Sequence, residues 1–155
     1  LAAGIHETWR ALSRAQGGWM QPRLDRPFGE LAAADQEDNR AAARRIPDVL
    51  ARAGMGVADE TQPVRPDDPS PEEIARHIER HLERLAAAEH DGWMEQRVRN
   101  GWRQGSPRDD AAKIHPLIVP YEQLSEKEKD KDRSSVLEFP EMVAMAGHRI
   151  VWLRG

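Results

Sequence analysis

The sequence contains no cysteine, which excludes disulfides, thiolate catalysis and cysteine-based zinc sites. That absence agrees with a reducing, cytoplasmic setting. Long apolar runs are missing too, so neither a signal segment nor a membrane span is expected, and no membrane contact. There is no basic excess: 23 Lys and Arg stand against 27 Asp and Glu, a net charge of −4. Polymeric nucleic acid and anionic membrane surfaces are therefore poor partners for the chain as a whole. Aromatic residues are scarce, with one Tyr and two Phe, yet there are five Trp. So skewed a choice implies particular uses for the indoles. A hydrophobic content of 39% over 155 residues suffices for one core, in one domain or two small ones. A chain that begins at Leu1 reads as a segment of a longer protein, with a fused or associated effector as its partner.

Helical signals dominate the chain. Residues 5–19 carry Trp9 and Leu12 and stop at Gly17-Gly18, a poor continuation and a good C-terminal cap. A second helix is expected at about 30–45. Pro47 suits the first position of a short third helix that Gly54 ends. Residues 58–70 hold three prolines and no periodic apolar pattern, and read as a linker. Ser70-Pro71-Glu72-Glu73 is a capping box that opens a long helix over 71–99, with Ile74, Ile78, Leu82 and Leu85 on one stripe. Leu117-Ile118-Val119 reads as a short buried strand. Ser125 and Glu128 open a charged helix through about Phe139, Pro140 starts a short last helix ended by Gly147, and residues 149–153 form a terminal strand. The expected fold class is mainly α with short β-strands.

The unusual chemistry lies between Ala88 and Leu124. Trp93 and Trp102 alternate there with Arg97, Arg99, Arg103, Arg108 and Lys113, and residues 94–115 carry five Lys/Arg against three Asp/Glu. Flat apolar faces beside cations suit an anionic planar ligand such as a nucleotide; core tryptophans beneath a solvated basic face would give the same composition.

An internal repeat bears on that choice. His6-Glu7-Thr8-Trp9 matches His90-Asp91-Gly92-Trp93 at an offset of 84, and Gly18-Trp19 matches Gly101-Trp102 at 83. At an offset of 93, Pro27-Phe28 pairs with Pro120-Tyr121, Leu31 with Leu124, Arg40 with Arg133, Ile46-Pro47 with Phe139-Pro140, and Ala53-Gly54 with Ala146-Gly147. The change of offset means that the first copy lacks about ten residues around Arg108-Asp109-Asp110 and His115-Pro116. The expected organisation is a degenerate first repeat at 1–57, a linker at 58–70 and a complete second repeat at 71–155, forming one compact module paired about a pseudo-two-fold axis.

These pieces resemble a known family. His90-x-x-Trp93, Arg99-Asn100-Gly101-Trp102-Arg103-x-Gly105, Arg108-Asp109-Asp110, His115-Pro116, Val119-Pro120-Tyr121, Leu124, Lys131-Asp132-Arg133 and Ala146-Gly147 are similar to the ryanodine-receptor repeat, or RyR domain. That module occurs in tandem pairs in calcium-release channels and in bacterial and phage proteins. The first copy keeps His6-x-x-Trp9 and Gly18-Trp19 but lacks the RDD and HP pieces, and the second departs at Gln104, where the family more often has an aromatic. The resemblance implies a mostly helical fold with short strands, no catalytic activity, and an adenine-type nucleotide, linear or cyclic, held between the copies by the two HxxW tryptophans.

The candidate site residues follow. Trp9 and Trp93 would stack the base; Arg99, Arg103 or Arg108 would hold phosphate, and Asn100 would read an adenine edge. His6 and His90 sit one turn before their tryptophans, and Tyr121 follows the loop. Trp19 and Trp102 read as core. Asp109 and Asp110 read as acids that orient Arg103 or Arg108 and cap a turn. His77 and His81 have chelating spacing but no third ligand, so they read as a solvated face without metal. Residues Glu126 to Arg133 read as a solvated helix, with Arg133 alone placed for an internal bond. The expectation is a non-enzymatic nucleotide sensor. The alternative is a protein–protein interaction or assembly module with no small-molecule ligand.

Overall fold

The computed structural model describes residues 1–154. More than half of the chain is helical, in α1 (Ala2–Ala15), α2 (Ala33–Ala51), α3 (Pro71–Arg80), α4 (Leu82–Arg99), α5 (Glu126–Leu137) and α6 (Phe139–Met145). Four short strands join them: β1 (Met55–Asp59), β2 (Arg103–Gln104), β3 (Ile114–His115) and β4 (His148–Trp152). The expected class, mainly α with short β, is the one observed. No helix among the described residues is long and apolar enough to cross a membrane.

Local signals set most of the helix ends. Gly17 and Gly18 both adopt positive φ after α1, a conformation open to glycine at no steric cost. The Ser70 box forms in both directions: the Ser70 hydroxyl accepts from the Glu73 amide at 3.2 Å, and the Ser70 amide donates to the Glu73 carboxylate at 3.4 Å. Ser125 likewise accepts from the Glu128 amide at 3.2 Å.

Four boundaries differ from expectation. Pro47 does not start a helix; it lies inside a continuous α2. A proline in a helix interior costs about 3 kcal/mol, but its neighbours Ile46, Val49 and Leu50 are all buried, and each such burial contributes about 1.5–3 kcal/mol. Packing therefore overrides the local break. The expected single helix over 71–99 is interrupted at His81, whose φ and ψ of −109° and 20° end α3 and start α4. The expected strand at 117–119 is absent; the paired segments are Arg103–Gln104 and Ile114–His115, which run parallel, while Leu117 and Val119 pack on a small core of Ala86, Tyr121 and Leu124. Finally, residues 55–59, partly assigned to the linker, form β1, which pairs antiparallel with β4.

One main core spans the chain. Ile5, Ala42, Ile46, Leu50 and Met55 from the first half pack with Ile74, Ile78, Leu85, Val136, Phe139, Met142 and Ile150 from the second. The two halves thus bury their apolar faces against each other.

Candidate functional site

Each half contains the same local device. The His6 ring Nε2 donates to the Arg26 carbonyl at 2.6 Å, and the His90 ring Nε2 donates to the Val119 carbonyl at 2.7 Å. Because a carbonyl only accepts, each Nε2 must carry the proton. Arg26 and Val119 immediately precede Pro27 and Pro120, which share φ −54° and ψ 146° and open single 3₁₀ turns at Phe28–Glu30 and Tyr121–Gln123. The histidines of the two HxxW motifs are thus buried anchors for matching Pro-aromatic turns.

One turn further along α1 and α4, Trp9 and Trp93 are half-buried and line one cleft of about 350 Å³ between the halves. The Trp9 indole N–H donates to the Ser135 hydroxyl at 3.0 Å. Trp93 stacks on His90 with ring centroids 5.5 Å apart and meets His115 edge-on at 4.9 Å. The Arg97 guanidinium lies 5.5 Å from the Trp93 ring and 4.8 Å from that of Trp102, and its Nη1 pairs with Asp38 of α2 at 3.1 Å. Burial holds the Arg97 pKa below its ordinary value and the Asp38 pKa above its own.

Helix α5 closes the cleft. Glu128, Lys131, Asp132 and Ser135 recur at helical spacing and all line it, so this stretch is not the purely solvated face expected. Lys131 pairs with Glu128 at 2.7 Å and lies 5.0 Å from the Trp19 ring. Trp19 accordingly lines the cleft and is not core, whereas Trp102 is buried as expected. Arg133 makes the expected internal bonds, to Glu83, Glu126 and Asp130.

Charged groups in and behind the cleft are largely paired. Arg45 of α2, itself largely buried, donates to the buried Glu89 of α4 at 2.7 Å. Gly92 permits that approach, since a Cβ there would meet Arg45 Cδ at 2.4 Å. Arg108 pairs with Asp110 at 2.6 Å, and Arg23 from the first half reaches the same carboxylate at 2.6 Å. Asp109 caps the Ala112 amide at 3.1 Å, so both acids have the structural roles expected, with Arg23 as an additional partner. Burial lowers the His115 pKa to about 4, aided by Arg108 and Arg97. Its Nδ1 accepts from the Leu117 amide at 3.1 Å, which fits a neutral ring.

Asp132 is the most perturbed acid. Burial, reinforced by Glu89, raises its pKa to about 8. Its only basic neighbour within 4 Å among the described residues is the His90 Nδ1, at 3.6 Å. The sequence reading named it only within the Lys131-Asp132-Arg133 piece and gave it no site role; the signal that could have given it one is its inward register with Ser135.

The predicted residues divide. Trp9, Trp93, His90 and Arg108 meet at the cleft. His6 stands behind its own turn. Tyr121 is buried in the small core with its hydroxyl donating to Glu83 at 2.5 Å, and burial raises its pKa. Arg99 and Asn100 line a separate groove between α2 and α4, beside Arg44 and Arg52, and Arg103 is exposed on β2. His77 is not on a solvated face: its Nε2 bonds the Ala53 carbonyl at 2.7 Å and its ring packs edge-on against Trp152 at 4.9 Å. Among the described residues no three His, Asp or Glu side chains are grouped to hold a metal ion.

One comparison places this geometry among known proteins: the family model described as RyR domain matches residues 63–151, more than half of the chain.

Proposed function

From the premise that this chain belongs to the RyR domain family, we propose that it is a non-catalytic tandem module that senses a nucleotide in the cleft between its halves. The observation that carries this reading is that Trp9 and Trp93, equivalent in the repeat, line one cleft beside Arg108 and Lys131. An indole contributes about 1–3 kcal/mol per stacked base, and the cations offer charge-assisted bonds to phosphate. Of the three arginines first assigned to phosphate, Arg108 keeps the role, with Lys131 in place of Arg99 and Arg103.

Two further features support the tandem reading. The matched His-to-carbonyl bonds put the same turn at the same place in each half. In the β1–β4 pair, Val57 lies opposite Ile150, and these residues are separated by 93, the offset of the sequence repeat. An antiparallel pair in which a residue faces its own counterpart is what a two-fold axis through that pair would give.

A thermal-shift panel of adenine and guanine mono-, di- and triphosphates, cyclic mono- and dinucleotides and ADP-ribose tests the proposal. Ligand stabilisation grows as RT ln(1 + [L]/Kd), about 2.7 kcal/mol at a hundredfold excess over Kd. A shift with at least one nucleotide, lost in Trp93→Ala, is the expected outcome. No shift with any of them overturns it and leaves the protein-interaction reading as the stronger one.

A further inference from the structure

The two glycine-tryptophan pairs matched in the sequence, Gly18-Trp19 and Gly101-Trp102, have different surroundings in the fold. Trp102 is buried, with the Arg97 guanidinium 4.8 Å from its ring and the His115 ring 6.1 Å away. The first half has neither cover. Four residues after Trp9 it carries Ser13, where the second half carries Arg97 after Trp93, and it lacks the stretch of about ten residues that includes His115. Ser13 is itself buried, its hydroxyl accepting from the Met20 amide at 2.7 Å. Trp19 is therefore left half-buried, and it lines the cleft together with Trp9 and Trp93.

That uncovered ring is nevertheless fixed. Its indole N–H donates to the Gln16 side-chain carbonyl at 2.9 Å, and the Gln16 amide nitrogen donates to the Ser134 hydroxyl at 2.9 Å. Ser135, the next residue of α5, accepts from Trp9. Consecutive serines of α5 thus hold both indoles of the first half, so a ring laid on Trp19 needs little further ordering of the protein. The cations say what would lie there. Lys131 Nζ is 5.0 Å from the Trp19 ring, so a phosphate on Lys131 lies beside that ring, and a group attached beyond the phosphate reaches it. A mononucleotide has one base, which Trp9 and Trp93 already serve, and leaves Trp19 uncovered.

We infer that Trp19 stacks a second planar ring, so that the ligand of the cleft is a dinucleotide, two nucleosides joined through phosphate, with Lys131 at the bridge. This rests on the nucleotide reading above, with adenine as the base, and adds the number of rings. The missing stretch of the first half is then what opens the place for the second ring.

The test compares three probes by titration calorimetry on the unmodified protein: diadenosine 5′,5′-diphosphate, ADP-ribose and AMP. ADP-ribose is the dinucleotide without its second adenine and carries the same charge. The dinucleotide should bind at least about tenfold more tightly than ADP-ribose, the gain expected from one more base on an indole. In Trp19→Ala that advantage should vanish. Trp19→Phe keeps a flat face and loses the Gln16 bond; it should reduce the advantage, and it supplies the second variant if the alanine protein does not fold. Equal affinity of the unmodified protein for the dinucleotide and ADP-ribose overturns the second-ring inference and leaves the nucleotide reading standing. So does an advantage that persists undiminished in every variant that folds, or a loss in Trp19→Ala as large for AMP as for the dinucleotide, which would put Trp19 at the first ring. Binding by none of the three probes overturns the adenine-nucleotide reading and this inference with it.

Discussion

Val57 and Ile150 face each other across the only strand pair that links the two halves among the described residues. Around them the main core takes Ile46, Leu50 and Met55 from one side and Phe139, Met142 and Ile150 from the other. Neither half buries its apolar face alone, so residues 61–154, although they include the whole of the family match, should not fold by themselves. Expressed alone, that fragment should show no cooperative thermal transition by circular dichroism, and mixing it with residues 1–60 should restore one. A cooperative melt of the fragment alone would show that the first half is dispensable.

The Arg45–Glu89 pair gives a second prediction. Glu89 is buried at 5% exposure and Arg45 largely so at 12%, and removing the arginine leaves an uncompensated buried charge, at a cost of about 3–5 kcal/mol. Arg45→Met should lose that much in urea denaturation. Arg45→Met with Glu89→Leu should regain most of it, because apolar replacement of both partners removes the desolvation penalty. If the double variant is no more stable than the single one, the pair's role is not electrostatic.

Much of this architecture is local and hence visible in sequence. Both serine caps, the glycine stops and the helical class depend on neighbours within four residues. The β1–β4 pairing does not, since Met55 meets Trp152 across the whole second half. The site was half visible for a geometric reason. On α4, Arg97 follows Trp93 by four residues and is turned only about 40° from it, whereas Arg99 follows by six and is turned about 240°. Interleaved cations therefore segregate, Arg97 to the tryptophan cleft and Arg99 to the opposite groove. Polar inward residues such as Asp132 give no hydrophobic period, so charge patterning alone made α5 look solvated.

Stability should depend on pH through Asp132. The groups facing it are Glu89 and His90 of α4, Arg45 of α2, and Glu128 and Lys131 of α5. Its pKa is raised to about 8 in the fold from an ordinary 3.8. Between those values the folded state holds a proton that the unfolded state has lost, so stability falls as pH rises, by at most about 1.4 kcal/mol per unit. His115 acts oppositely: folding lowers its pKa from 6.5 to about 4, so its contribution grows with pH across that interval and is complete above it. The window from pH 6.5 to 8 isolates Asp132. There the parent should lose about 1–2 kcal/mol relative to Asp132→Asn, measured by urea midpoints. Parallel pH profiles for the two proteins would mean that Asp132 is ionised throughout.

The last prediction separates stacking from charge at the cleft. Trp93 is supported by His90, His115 and Arg97, so its ring is fixed before ligand arrives and little ordering is needed on binding. Trp9 is fixed by its bond to Ser135. Trp9→Phe keeps a flat face and loses that bond, whereas Trp9→Ala loses both. If the base lies between the two indoles, Trp93→Ala and Trp9→Ala should each weaken nucleotide binding by about 1–3 kcal/mol, with Trp9→Phe intermediate. Those losses should be equal for a nucleoside and its monophosphate, because stacking does not sense the phosphate. Arg108→Ala should weaken the monophosphate and spare the nucleoside. Arg103→Ala should change neither, since Arg103 is exposed on β2 outside the cleft. Paired calorimetric titrations of adenosine and AMP against these five variants check each arm. Undiminished binding in Trp9→Ala would place the site on the second half alone, and equal losses for both probes in Arg108→Ala would remove Arg108 from the phosphate role.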